Sequence, residues 1–144
     1  MGLMLSGQER IFFDTAPFIY LFEKNERYEV VLRTFFSCPA VRQCRWSTSV
    51  ITLIEVLTLP RRNQLARLED AYRRFLTDSQ RIELRVADAD VCEKAIHFRA
   101  AYGYKTPDAI QLATAQVFGA DIVITNDHAW KKIKELRVVT LDEL

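Results

Sequence analysis

Four carboxylates, Asp14, Glu55, Asp108 and Asp127, each sit where an acid can face a cleft. Asp14 ends the apolar run Ile11-Phe12-Phe13, and Asp127 comes after Ile122-Val123-Ile124 through Thr125-Asn126. Apolar runs this short read as strands buried on both faces. In open parallel sheets, ligands bind beyond the carboxyl ends of such strands. Asp108 falls in the first turn of a helix expected to start at Thr106 as N-cap, with Pro107 at its first position and Gly119 as its stop. Glu55 is the only charge in S-V-I-T-L-I-E-V-L-T-L, a segment apolar nearly all round and therefore expected to be buried. No Lys or Arg lies within about a helical turn of it. A carboxylate in that setting either keeps its proton or is met by a cation.

If the first and fourth strands are neighbours, Asp14 and Asp127 meet, and all four acids reach one edge of the sheet. Crowded carboxylates repel unless some protonate or a divalent ion neutralises them. All-oxygen ligation suits Mg²⁺ or Mn²⁺, which keep waters and take phosphate oxygens as further ligands. Ions held that way support hydrolysis of phosphodiesters by activated water. Each acid also has a plainly structural use. Asp108 complements a helix dipole, Asn126-Asp127 makes a turn and caps the next helix, and Asp14 can cap the helix at Pro17.

A regular alternation of elements would position these acids. Phe18, Ile19, Leu21 and Phe22 suggest a short apolar helix, usable as core or as an interface. Tyr28, Val31, Leu32, Phe35 and Phe36 have helical spacing up to Pro39. Arg42 to Ser47 is expected to be the second strand. Ser47, Thr48 or Ser49 then caps the Glu55 helix, which Pro60 should stop after Leu59. Residues 61–78 read as one amphipathic helix with Leu65, Leu68, Tyr72, Phe75 and Leu76 inward. Ile82 to Val86 alternates like a strand. Asp88 or Asp90 caps a helix through Tyr102, stopped by Gly103. A short helix near Trp130 and a strand near Val138-Val139 end the chain. Strands alternating with helices imply an α/β fold with a mostly parallel sheet of about five strands, covered on both faces.

Composition narrows the class. The 144 residues, 49% hydrophobic and 27% charged, fit one soluble globular domain spanning 1–144. A net charge of +1 announces no large basic field for nucleic acid and excludes none. Cys38, Cys44 and Cys92 are odd in number and lack CxxC spacing, which fits reduced thiols in a cytoplasmic protein. No run approaches the roughly 20 apolar residues of a membrane span. Met1 to Leu5 is too short for a signal-peptide core, although Met1-Gly2…Ser6 formally matches a myristoylation pattern.

Four patches, F-F-D-T-A, S-V-I-T-L-I-E-V-L, T-P-D-A-I-Q-L-A-T-A and V-I-T-N-D-H-A-W, together resemble the PIN-domain nucleases in order and spacing. The resemblance covers essentially the whole chain. It implies a three-layer α/β/α PIN-like fold in which Asp14, Glu55, Asp108 and Asp127 form the acidic metal site for Mg²⁺ or Mn²⁺. It further implies cleavage of RNA by an activated water, with Thr125 and Asn126 shaping the strand-end turn. Small members of this family are typically toxins of toxin–antitoxin pairs, so a homodimer and a cognate antitoxin are the implied partners. Lys105, three residues before Asp108, is the basic residue best placed to hold substrate phosphate. His128, His97, Arg61, Arg62, the lysines at 131, 132 and 134, and the two tryptophans read as surface or core.

Two kinds of rival remain. One is another Mg²⁺-dependent phosphate-ester hydrolase, although an aspartyl phosphatase usually wants a second acid where this chain has Ala16. A receiver domain would want its acceptor after the third strand, where Asp88 stands, but also paired acids at the first strand, which this chain lacks. The other rival is a PIN-fold protein without catalysis, acting as an RNA-binding or scaffolding module.

Overall fold

The computed structural model of the protein describes residues 3–144; Met1 and Gly2, and with them the myristoylation pattern, lie outside the described residues. Five strands form one sheet: β1 (Arg10–Phe13), β2 (Arg45–Ser49), β3 (Ile82–Arg85), β4 (Ile122–Thr125) and β5 (Val138–Thr140). Their order is β3-β2-β1-β4-β5 and every neighbouring pair is parallel. The two central strands β1 and β4 carry Phe12, Phe13, Val123 and Ile124, all without exposed surface. Such continuous burial is what a sheet covered on both faces demands.

The helices are α1 (Thr15–Phe22), α2 (Glu29–Ser37), α3 (Pro39–Gln43), α4 (Val50–Arg62), α5 (Ala66–Arg73), α6 (Ala89–Tyr102) and α7 (Thr106–Phe118). One core gathers α1, α2, α4 and α5 around Phe13, Phe18, Leu32, Trp46 and Tyr72. The other gathers α6 and α7 around Phe12, Phe98, Leu112, Val123 and Trp130. The sheet therefore lies between two helical layers, as the α/β/α expectation required. Gly103 and Gly119 end α6 and α7 with φ of 75° and 73°, the left-handed conformation that relieves the last carbonyls. No helix among the described residues is long and apolar enough to cross a membrane.

Several boundaries differ from those expected of the sequence. Arg42 and Gln43 belong to α3, which Pro39 starts at its first turn, so β2 begins only at Arg45. Pro60 lies inside α4, where its ring is buried and the missing hydrogen bond falls near the helix end. Residues 61–78 are not one helix. The chain turns after Arg62, with Gln64 at φ 57°, and restarts as α5, whose last part widens into a π turn at Arg74–Asp78. Leu65, expected inward, lies in that turn and is 48% exposed. The Glu55 helix is also not buried all round. Thr52, Val56, Leu57 and Pro60 face inward, while Ile54 and Leu59 on the other side are exposed.

Candidate active site

Three local rules bring the acids together. Asp14 leaves β1 and caps α1, its Oδ1 accepting from the Thr15 amide at 2.7 Å. Asp127 leaves the turn after β4 and caps a short 3-10 helix (His128–Lys132), accepting from the Ala129 amide at 2.9 Å. Because β1 and β4 are neighbours, both carboxylates emerge on the same edge of the sheet. Ser49 caps α4 by accepting from the Ile51 amide, which places Glu55 in that helix's second turn. Asp108 sits in the first turn of α7. Here Lys105, not Thr106, is the N-cap, with Thr106 and Pro107 already helical and no side-chain capping bond.

The acids are close enough to act on one another. Burial pushes the Asp14 carboxyl up to about 6, against the pull of the Thr125 hydroxyl and the Thr15 amide, with the charges of Glu55 and Asp108 adding to the rise. Partial loss of water raises Glu55 as well, with a further push from Asp108 and an opposing bond from Thr15. Asp108 is raised by burial and by Asp127, and lowered by Lys105. None of the four enters an ion pair among the described residues.

Beneath these acids lies a layer of buried polar side chains, of which Thr125 was already a candidate in the sequence. Thr125 donates to Asp14 Oδ2 at 2.7 Å. Gln111, 1% exposed, sends its amide nitrogen to Thr52 Oγ1 at 2.8 Å and to Asp14 Oδ1 and Thr15 Oγ1 at 3.3 Å each. Its carbonyl accepts from Ser49 at 2.5 Å. Thr15 reaches Glu55 at 3.3 Å. A polar residue on the core face of α7, between Ala109, Leu112 and Ala113, was the available signal for Gln111. Thr52 stands with Ser49, Glu55 and Thr58 in a polar stripe that recurs at every third position, and Thr15 only follows Asp14.

The remaining candidates separate cleanly. Asn126 donates to the Tyr20 hydroxyl at 3.3 Å, and its own side-chain oxygen is buried without a partner. Lys105 is exposed at the rim beside Asp108. His128 is exposed and lies 3.5 Å from Asp142, while His97 bonds Glu135 at 2.9 Å. Lys131 is tied to Glu143 at 2.8 Å, Trp46 and Trp130 are core, and Phe18 is fully buried rather than an interface residue.

The donor set is oxygen only and short of positive charge, with Asp14 and Asp108 partly buried and Glu55, expected to be buried, exposed on its helix like Asp127 at its turn. A hard divalent cation neutralises such a set. Among the described residues no three acids, histidines or cysteines close into a ready-made ligand cage. That openness is compatible with Mg²⁺, which commonly takes one or two carboxylates and fills the rest with water and phosphate oxygens.

A parallel α/β/α sheet with unpaired acids at its carboxyl edge thus defines the class of site. A family profile described as PIN domain matches residues 11–136, so the chain belongs to the PIN-domain family. A toxin–antitoxin complex from Klebsiella pneumoniae matches with a TM-score of 0.69 and 27% identity, covering 93% of this chain and 99% of that one. DNA-bound VapBC from Salmonella typhimurium matches with a TM-score of 0.73 and 20% identity, over 96% and 99% of the two chains. The Mycobacterium tuberculosis toxin VapC20, described as a sarcin–ricin loop cleaving toxin, matches at 0.68 and 22%, over 88% and 98%. No curated protein matches the chain by sequence. The family match gives the class of the chain, and the neighbours share its fold.

Proposed function

We propose that this chain, as one PIN domain, is a divalent-metal-dependent endoribonuclease and the toxin of a toxin–antitoxin pair. The observation that carries the reading is the set of four carboxylates at one sheet edge, none of them ion-paired among the described residues and three of them raised by burial and mutual repulsion. Asp14, Glu55, Asp108 and Asp127 would hold Mg²⁺ or Mn²⁺. When bound there, such an ion supplies the positive charge that makes water acidic and offsets charge on a phosphodiester.

The chain's own side chains do the rest. Thr125, Thr15 and Gln111 fix the orientation of Asp14 by hydrogen bonds to both its oxygens. Asn126 holds the turn that presents Asp127 through its bond to Tyr20. Lys105 stands at the rim, free to meet a phosphate oxygen of the RNA backbone. The similarity to a toxin–antitoxin complex supports a cognate antitoxin as partner; a homodimer acting in the cytoplasm is proposed with it.

The test compares antitoxin-free wild type with Asp108→Asn on a mixed RNA pool, each with Mg²⁺, Mn²⁺ or EDTA. Cleavage that both EDTA and the substitution abolish is the expected result. Cleavage that survives Asp108→Asn overturns the site assignment. Folded wild type that neither cleaves RNA nor binds Mn²⁺ overturns the enzyme in favour of a binding module.

A further inference from the structure

Gln111 belongs to a helix whose other inward residues are small or apolar, yet it is buried with every polar atom engaged. It lies at the centre of a closed cluster formed by Ser49, Thr52, Thr15 and Thr48, all with 6% exposure or less. Thr48 donates to the Phe13 carbonyl at 2.7 Å and accepts from Thr52 at 2.8 Å, and Thr52 lies 3.2 Å from Thr15. The cluster therefore joins the end of β1, the end of β2, the start of α1, the first turn of α4 and the second turn of α7. An apolar plug of the same shape would hold these elements together at little or no cost in stability, since a fully satisfied buried polar set gains little net free energy. What apolar side chains cannot do is aim a carboxylate.

Two of the cluster's outward bonds end on acids that come from different elements. The Gln111 amide nitrogen reaches Asp14 Oδ1, and Thr15, bonded to the same nitrogen, reaches Glu55 Oε1. The two protons of one amide are thus shared among Asp14, Thr15 and Thr52, while Ser49 fixes which way the amide faces. Resting on the proposed metal-nuclease function, we infer that Gln111 is a positioning residue: through one amide it holds Asp14 directly, and Glu55 through Thr15, in the mutual orientation that a shared divalent cation requires. Partners behind metal ligands commonly change metal affinity by 10- to 100-fold when removed.

The test separates aiming from mere packing. Mn²⁺ affinity is measured by titration calorimetry, and melting temperature in EDTA, for wild type, Gln111→Met, Thr52→Val and the apolar combination Ser49→Ala/Thr52→Val/Gln111→Leu. Thr114→Val is the control, since Thr114 is equally buried on α7 but bonds only the Ile110 carbonyl of its own helix. Gln111→Met is expected to weaken Mn²⁺ about tenfold. Thr52→Val weakens it less. The combination regains melting temperature over Gln111→Met without regaining affinity, and Thr114→Val shifts melting temperature with affinity unchanged. Affinity that stays at the wild-type value in Gln111→Met, or that rises and falls with melting temperature across the set, overturns the inference. Should Gln111→Met fail to fold, Thr52→Val carries the same comparison. Wild type that binds no Mn²⁺ overturns the metal-site reading instead, a distinguishable outcome.

Discussion

Helix α7 carries charge at both ends, and the two ends treat it in opposite ways. At its start, Asp108 joins Asp14, Glu55 and Asp127 with no ion pair among them. At its finish, about 15 Å away, three arginines fan over one ring. Arg10, Arg45 and Arg85 stand 5.9, 5.5 and 5.4 Å from the centroid of Phe118. Arg10 also donates to the Phe118 carbonyl at 3.0 Å, a cation placed at the negative end of the helix dipole. Arg45 and Arg85 share Glu83, and Arg85 lies 3.2 Å from it. At the finish two arginines share one carboxylate, and the third is met by a carbonyl and a ring. At the start no carboxylate has an ion-pair partner among the described residues, and the proposed metal site rests on that difference.

The largest effect should come from removing charge where it is in deficit. Asp14→Asn or Asp108→Asn is expected to lower RNA cleavage about a thousandfold or more, because the several kcal/mol supplied by a bound cation are lost with its ligands. Arg45→Met at the other end should change cleavage by less than about threefold, as an exposed substitution worth only a few tenths of a kcal/mol. Initial rates on one defined RNA check both. Equal losses at the two ends would break the comparison and make the arginine fan part of the site.

Stability should move in the opposite sense. The Asp14 carboxyl is held near 6, well above its usual value. The native state therefore binds more protons than the unfolded chain between about pH 4 and 6. The stabilising contribution is fully present below about pH 4 and is lost as pH rises through about 6. Up to about 3 kcal/mol is involved. Urea midpoints of the wild type in EDTA should fall across that window. In Asp14→Asn the Asp14 part of the fall should vanish, leaving a variant more stable than wild type at pH 7. A flat wild-type profile would show that Asp14 is better solvated than the structure makes it.

The same deficit predicts what a cation does. Saturating Mn²⁺, at about a hundred times its dissociation constant, should stabilise the wild type by about 2.7 kcal/mol at pH 7. The gain should shrink at pH 5, where the proton on Asp14 competes with the ion. Glu55→Gln should reduce the gain at both pH values. An undiminished gain in that variant would place the ion away from Glu55.

Much of this arrangement was legible in the chain. The strands at β1, β4 and β5 are short apolar runs bounded by polar turns, and their neighbouring acids followed from that. The glycine stops at 103 and 119 follow from the left-handed conformation each adopts. Proline led right once and wrong once: α2 does end before Pro39, which then opens α3, whereas Pro60 is accommodated by burial inside α4. A proline marks a change in hydrogen bonding, and only tertiary packing decides whether the helix stops there. Ile54 and Leu59 misled in another way, since an all-apolar helix reads as buried while this one leaves a face open beside Glu55. Gln111 could not be singled out, because its importance lies in partners 59 to 97 residues away in sequence.

The smallest predicted effect lies at the arginine end and turns on salt. Arg45 and Glu83 keep 55% and 42% of their side-chain surface, so their ion pair should contribute below about 1 kcal/mol. The cation–ring contact of Arg45 with Phe118 adds a similar amount. A double-mutant cycle of Arg45→Met and Glu83→Gln isolates the ion pair from that contact. Its coupling energy should fall toward zero as NaCl rises from about 0.1 to 1 M, where the screening length drops from about 10 to 3 Å. At the acid end, the stability gained by Asp108→Asn at pH 7 should shrink only in part over the same range. Screening relieves the repulsion from Asp127, but it does not restore the water that burial removed from Asp108, and burial is the larger cause of its shift. A coupling energy at the arginine end that outlasts high salt while the gain at the acid end disappears would reverse the contrast. The paired end would then hold the desolvated charges, and the acids would be an ordinary exposed cluster.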